Sequence, residues 1–325
     1  MANKYGVPEI RCRTAMGLLR NLDSLHKRWR KGVWLFRGQN NESWDLIPSA
    51  MRYPVFRHVF DRAEEMFETM KNVKFGGLFS NIALDEDDEN RRRMFVAVQR
   101  ALETSVIGSF ANLAERAGLS VPSDHYFPLG GDIGEIMRQQ FSHLIPGAEL
   151  PPPEPKSVVF ALGQHHGIPT RLMDWTFQPP VAAFFAAHEE EPLSEVPAHM
   201  VIWAIESSRL VTDTNLGFVT HQQSRIGFLQ AQDGAFIYDK AADEKYVEFG
   251  HWLPFEYELS HLRDFGAVFK ITLPFSKKVE LLKLLRQKRI APPYLKPSFD
   301  NVANDVLLGL DYWNNTDPDS QRFYK

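Results

Sequence analysis

Apolar positions recur at helical spacing in several stretches of the chain. Between Thr14 and Arg30, residues Leu18, Leu22, Leu25 and Trp29 share one face and Thr14 can accept the first free backbone donors, so the pattern predicts a helix over 14–30. After Pro54, the set Phe56, Val59, Phe60, Ala63, Met66, Phe67 and Met70 predicts a second helix. Phe95, Val98, Leu102, Val106, Phe110 and Leu113 predict a third, from about Asp88 to Gly118, with acidic residues at its start that suit the helix dipole. Two apolar faces this close in sequence are expected to pack together. The acidic run 85–89 and Arg91 to Arg93 read as the solvated entrance to the third helix.

Elsewhere the period shortens. Val33 to Arg37 is a β-branched and aromatic run closed by Gly38, which reads as a strand ending where another backbone or a ligand comes close. Met200–Ile205, Ala235–Tyr238 and Ala267–Leu273 read as further strands, and Lys277–Lys288 as a helix with Val279, Leu281, Leu282 and Leu285 on one face. Ser157–His166 reads as a helix stopped by Gly167, and Val181–His188 as a strongly apolar one. The region from Gly118 to Pro155, rich in Gly and Pro and ending in Pro151-Pro152-Pro153-Glu154-Pro155, reads as a stiff connector. The expected organisation is one mixed α/β (α+β) domain over 1–325, with a helical and Pro/Gly-rich insertion over 54–155.

Composition narrows the functional classes. With 44% apolar residues, 24 Phe and 7 Trp, the chain can bury a large core without staples. A net charge of -4 supplies no general field for a polyanion, which leaves nucleic acid only a local patch at Arg91, Arg92, Arg93 and Arg100. The single cysteine, Cys12, excludes an intramolecular disulfide and fits a reducing compartment such as the cytoplasm. MANKYGVPEIRCR lacks the apolar run of a secretory signal, and the run 181–187 is far shorter than the ~20 residues of a membrane span, so no membrane association is expected.

The chemistry-bearing residues concentrate in two places. Arg37 ends an apolar strand and must take its fixed charge to a ligand anion or to a buried carboxylate, for which Asp174 is a plausible partner. Gln164 to Thr176 packs donors and acceptors into the span between two expected helices, and Thr176 precedes the helix that begins near Pro180, where backbone donors converge on anions. Arg37 and this stretch are therefore expected in one pocket. His165 and His166, if helical, point about 100° apart, which disfavours joint chelation, and no metal is expected. The G-x-S-x-G, Walker, G-x-G-x-x-G and H-E-x-x-H signatures do not occur.

LFRGQ at 35–39, QHHGIPTRLMDWT at 164–176 followed by PPVAAFFAA, and QDGAF at 232–236 after Arg225-Ile226 resemble the defining blocks of the FRG domain family. The likeness runs from about Trp34 to Leu310, interrupted between Arg52 and Pro155. It implies a bacterial or phage setting, including phage defence, and leaves the biochemical role open. A looser similarity links the aromatic-Arg-Gly strand, the hydroxyl-bearing strand end and the late G-x-F strand to the arrangement of ADP-ribosyltransferases.

That second similarity implies an ADP-ribosyltransferase-like sheet core and NAD as ligand or substrate, with ADP-ribose transfer or NAD glycohydrolysis as the reaction. Arg37, Thr176 and Gln232 fall at the catalytic positions. Phe36, Gly38, Gln39, Gln164, His165, His166, Thr170, Arg171, Asp174 and Trp175 are the accompanying ligand-binding candidates. Gln232 departs from the transferase glutamate: it can hold a ribose hydroxyl but brings no charge to an oxocarbenium-like transition state. The alternative is a non-catalytic FRG module that binds a protein partner through the helical region 54–118.

Overall fold

The computed structural model describes residues 5–52, 58, 61, 88–121, 158–188, 196–220 and 231–314. The helix expected after Pro54, the proline run 151–155 and Arg225-Ile226 lie outside the described residues.

Seven strands form one mixed sheet: β1 (Glu9–Arg11), β2 (Trp34–Gln39), β3 (Met173–Thr176), β4 (His199–Glu206), β5 (Leu216–Val219), β6 (Gly234–Asp239) and β7 (Val268–Pro274). Their order is β1-β7-β4-β2-β3-β6-β5, with β1 parallel to β7 and every other pair antiparallel. Between the strands, in chain order, run α1 (Ala15–Asn21), α2 (Ser49–Arg52), α3 (Asp88–Arg116), α4 (Val158–His165), α5 (Pro179–Ala187), α6 (Ser207–Asp213), α7 (Ala242–Phe249) and α8 (Phe255–Leu259), and after β7 follow α9 (Lys278–Gln287), α10 (Pro292–Leu295) and α11 (Phe299–Asn314). The expected mixed α/β class is therefore observed. No helix among the described residues is long and apolar enough to cross a membrane.

Strand alternation divides the core into two layers. Trp34, Phe36, Met200, Ile202, Ala204 and Ile271 face α1, α5 and α9, while Leu35, Val201, Trp203, Ile205, Met173 and Trp175 face the opposite side, covered by Leu210, Phe255, Leu259 and Leu262. At the far side of the sheet, Leu172, Phe236 and Tyr238 pack against Val158 and Ala161 of α4. β2 and β4 pair along the whole length of β2, from Trp34↔Glu206 to Gln39↔Val201. β2 and β3 share only the pair Phe36↔Thr176. The sheet is thus continuous through one contact at its centre and opens beyond it.

Gly38 lets α5 lie directly on β2. A side-chain carbon there would overlap the Ala182 carbonyl oxygen and stand 2.5 Å from the Ala186 nitrogen. The backbone approached is therefore a helix of the same chain, and Pro at the start of α5 pre-sets the helical φ. Gly167 stops α4 with φ 89°, the left-handed conformation that the sequence assigns to it.

Two helices differ from expectation. α1 begins at Thr14, whose hydroxyl accepts from Gly17 N at 3.0 Å, but it stops at Asn21 instead of continuing to Arg30. Asp23 starts a turn by accepting from Leu25 N at 2.8 Å, and Trp29 folds back to donate its indole N–H to Asn21 O at 2.7 Å. Leu25, expected on the buried face, is 75% exposed. α3 has the expected span and Val98 is buried as expected, but Val96, Ala97, Gln99, Glu103, Ile107 and Ala111 are buried beside it, while Leu113 is exposed. Its inner face is partly polar because Gln99 donates to Ala50 O at 3.0 Å and Glu103 accepts from Arg171. An apolar-only pattern cannot detect such a face. α3 packs on α7 and α4.

Candidate functional site

A cavity of about 720 Å³ lies at the opening beside the Phe36↔Thr176 contact. β2 and its end supply Phe36, Arg37, Gly38 and Asn40, and the end of α4 supplies Gln164, His165, His166 and Gly167. β3 contributes Asp174, Trp175 and Thr176, α5 contributes Ala182, Phe185 and His188, and Gln232 and Lys296 complete the lining. Segments 137 positions apart are joined directly, since Arg37 Nη1 donates to Asp174 O at 2.7 Å. Its volume falls in the range of small-molecule and cofactor sites.

Arg37 has few partners for an enclosed cation. Its contact with Asp174 is to the backbone carbonyl, not to the carboxylate, and its Nε is buried without an acceptor among the described residues. Burial pushes its pKa down, the Asp174 charge opposes this, Arg52 adds to the depression and Glu256 opposes it. The indole Nε1 of Trp175 is likewise a buried donor without an acceptor among the described residues. Two unsatisfied donors beside one cavity suit an anionic, acceptor-rich ligand.

Thr176 and Gln232 are tied to each other. The Thr176 hydroxyl donates to Gln232 O at 2.6 Å and accepts from Gln178 N at 3.0 Å, which caps the approach to α5. The Gln232 amide Nε2 donates to Leu295 O at 3.1 Å and so attaches the α10 segment to the rim. Thr176 has used its only proton and can offer a ligand an acceptor alone, whereas Gln232 keeps its amide oxygen. Asp233 adopts φ 47° and its carbonyl accepts from Phe177 N at 3.0 Å, but it does not line the cavity.

Three sequence-derived candidates do not line the cavity. Gln39, one strand repeat beyond Arg37, accepts from Trp203 Nε1 at 3.0 Å. Thr170 is fully buried, where its hydroxyl donates to Gln164 Oε1 and accepts from Leu172 N. Arg171 forms a buried fork on Glu103, 2.7 and 3.1 Å, and reaches Asp243 at 3.3 Å. Burial lowers its pKa, but Asp243 and Glu103 outweigh this and raise it. Its dense donors therefore serve the junction of α3, α7 and the α4–β3 loop. The arginine patch considered for nucleic acid is similarly engaged: Arg100 pairs with Asp243, Arg92 donates to Val247 O at 3.0 Å, and Arg93 pairs with Glu89 at 2.8 Å.

Asn40, His188 and Lys296 line the cavity without having been singled out by sequence, whereas Gly167 belongs to the 164–176 stretch and Ala182 and Phe185 to PPVAAFFAA. Asn40 donates to Ala186 O at 3.1 Å and His188 O at 3.0 Å, tying the end of α5 to β2. A capping asparagine just past FRGQ was the available signal for it. The His188 ring stacks on Phe184 at 4.8 Å, and His165 and His166 meet edge to face at 5.2 Å. Among the described residues no group of three or more His, Cys, Asp or Glu is arranged to hold a metal ion.

No curated protein and no solved structure matches the chain. A family model described as FRG domain matches residues 122–195, narrower than the 34–310 span of the sequence likeness and leaving LFRGQ and QDGAF outside it. The matched range includes QHHGIPTRLMDWT and PPVAAFFAA, the blocks from which the α4, β3 and α5 walls of the cavity are built, so the part of the chain that is similar to the FRG domain model supplies three walls of this cavity.

Proposed function

We propose that the cavity binds NAD or a related nucleotide, and that the chain is an ADP-ribosyltransferase-like protein that cleaves the nicotinamide glycosidic bond, releasing or transferring ADP-ribose. The observation that carries this reading is Arg37, an enclosed guanidinium with an unpartnered Nε at the opening of the sheet. A pyrophosphate supplies the paired acceptors that such a fork lacks. The three segments with the transferase-like motifs are neighbours in space as β2, β3 and β6, which supports the same reading. Phe36, Phe185 and Trp175 offer apolar surface for a ring, and the Gln232 amide oxygen an acceptor for a ribose hydroxyl. A cytoplasmic setting, where NAD is abundant and Cys12 stays reduced, and a role in bacterial or phage defence belong to this proposal.

A second reading is a non-catalytic FRG module. It is favoured by the Thr176–Gln232–Leu295 chain, which commits a hydroxyl and an amide to the fold. In this reading the α3 region, with Leu113 and Leu119 exposed, meets a protein partner.

Thermal melting with NAD, ADP-ribose, ATP and nicotinamide separates the two. Ligand at 100 times its Kd adds about 2.7 kcal/mol to native stability. NAD and ADP-ribose are expected to raise the midpoint while nicotinamide alone does not. A midpoint unmoved by any nucleotide overturns the nucleotide reading and leaves the second.

A further inference from the structure

Among the described residues the cavity lining contains Arg37, Lys296 and three histidines but one carboxylate, Asp174. We infer that Asp174 is the catalytic carboxylate of this site, taking the part that Gln232 cannot play; this rests on the glycosidic-bond reading above.

Asp174 is placed for the task by its strand. On β3 it alternates with the buried Met173 and Trp175, so its side chain is exposed toward the cavity while its backbone is held on both edges, by the pair with Phe236 on β6 and by the Arg37 fork on its carbonyl. Because Arg37 binds that carbonyl, the carboxylate remains without a hydrogen bond among the described residues. The guanidinium that would hold a phosphate and the carboxylate thus line the same cavity, near enough for the Asp174 charge to act on Arg37. In NAD the nicotinamide-ribose C1′ is only a few bonds from the pyrophosphate, so a phosphate on Arg37 brings C1′ within reach of Asp174.

In the reaction the C1′–N bond breaks and its electron pair goes to the ring nitrogen, which loses its positive charge and leaves as neutral nicotinamide. Asp174 faces the developing oxocarbenium charge and accepts a proton from the attacking water, whose oxygen forms the new bond to C1′. The proton then passes to solvent, so NAD and water yield ADP-ribose, nicotinamide and one proton. Gln232 can orient a ribose hydroxyl through its amide oxygen but cannot take that proton. Asp233, the neighbouring acid in sequence, does not line the cavity.

The test compares the wild-type chain with Asp174→Asn and Asp174→Glu, measuring nicotinamide release from NAD, NAD affinity by calorimetry, and the pH dependence of kcat. Asp174→Asn is expected to lower kcat by about 100-fold or more with NAD affinity kept within about threefold, Asp174→Glu to retain part of the rate, and the acidic limb of the wild-type pH profile to vanish in the asparagine variant. Because the Asp174 charge supports the enclosed Arg37 cation, the ligand-free asparagine variant should melt somewhat below wild type and the glutamate variant, which keeps the charge, close to it. Asp174→Asn with wild-type turnover overturns the inference, as does a wild type that binds NAD and releases no nicotinamide. A wild type that does not bind NAD overturns instead the nucleotide reading on which it rests.

Discussion

Arg37→Lys separates a ligand-binding guanidinium from a structural brace, because the two assign opposite signs to its effect on stability. In the ligand-free protein the fork makes one bond, Nη1 to Asp174 O at 2.7 Å, and leaves Nε buried without an acceptor. An unsatisfied buried donor costs about 1–3 kcal/mol. Lysine places a methylene where Nε stands, and its ammonium can still donate to the Asp174 carbonyl. The variant should therefore be as stable as wild type or more stable by about 1 kcal/mol, a rise in Tm of roughly 2–4 °C. Nucleotide affinity should move the other way. Losing one of two charge-assisted bonds to a pyrophosphate is worth about 1.5–3 kcal/mol, a weakening of about 10- to 100-fold. Scanning calorimetry without ligand and titration calorimetry with ADP-ribose give both quantities on the same preparation. A variant that melts several degrees lower, with wild-type ADP-ribose affinity, refutes the reasoning and makes Arg37 a brace.

Arg171→Ala should destabilise by about 3–5 kcal/mol, read by urea unfolding, because Glu103 and Asp243 are left buried without their shared cation. Nucleotide affinity per folded molecule should not change. Gly38→Ala should cost about 4 kcal/mol or prevent folding, since the added carbon meets the α5 backbone, and soluble yield and melting check it. Glu256 has a pKa pushed by burial from 4.5 to about 7, opposed by hydrogen bonds including that from Leu46 N. A raised carboxyl pKa means that the native state binds more protons than the unfolded chain between those values, so stability falls as pH rises through that window, by about 3 kcal/mol in all. Glu256→Gln should remove that part of the pH dependence and stabilise at pH 8 more than at pH 4, as unfolding at the two pH values would show.

The elements most legible in the sequence were those whose local pattern and burial agree. α5 is apolar throughout because it is buried throughout, and the strand at FRG ends where Gly38 admits that helix. The cavity itself was legible through the density of polar residues at 164–176, although density does not give direction. Gln39, on the same face of β2 as Arg37, is taken up by Trp203 Nε1, and the polar interior of the α3 junction draws Thr170 and Arg171 away. Lys296 and His188 carry no local signature and reach the cavity only through tertiary packing. The three-residue β1 and four-residue β5 are too short for alternation to mark, while α7 hides its role because its buried Asp243 and Lys245 read as surface charges. α1 was overextended because period alone ignores the competing side-chain bonds at Asn21 and Asp23.

The central claim is that a nucleotide occupies the cavity at the opening between β2 and β3, and the indole N–H of Trp175 reports on that place directly. It is a buried donor without an acceptor among the described residues, in a residue that lines the cavity, and the chain contains 7 Trp. A ¹H–¹⁵N spectrum resolves the indole signals, and the Trp175→Phe variant identifies this one by its disappearance. On addition of NAD the Trp175 signal should move saturably and farther than any other indole signal. A Trp175 signal that stays fixed while NAD is added to saturation elsewhere, or a spectrum in which no indole signal moves, contradicts the account.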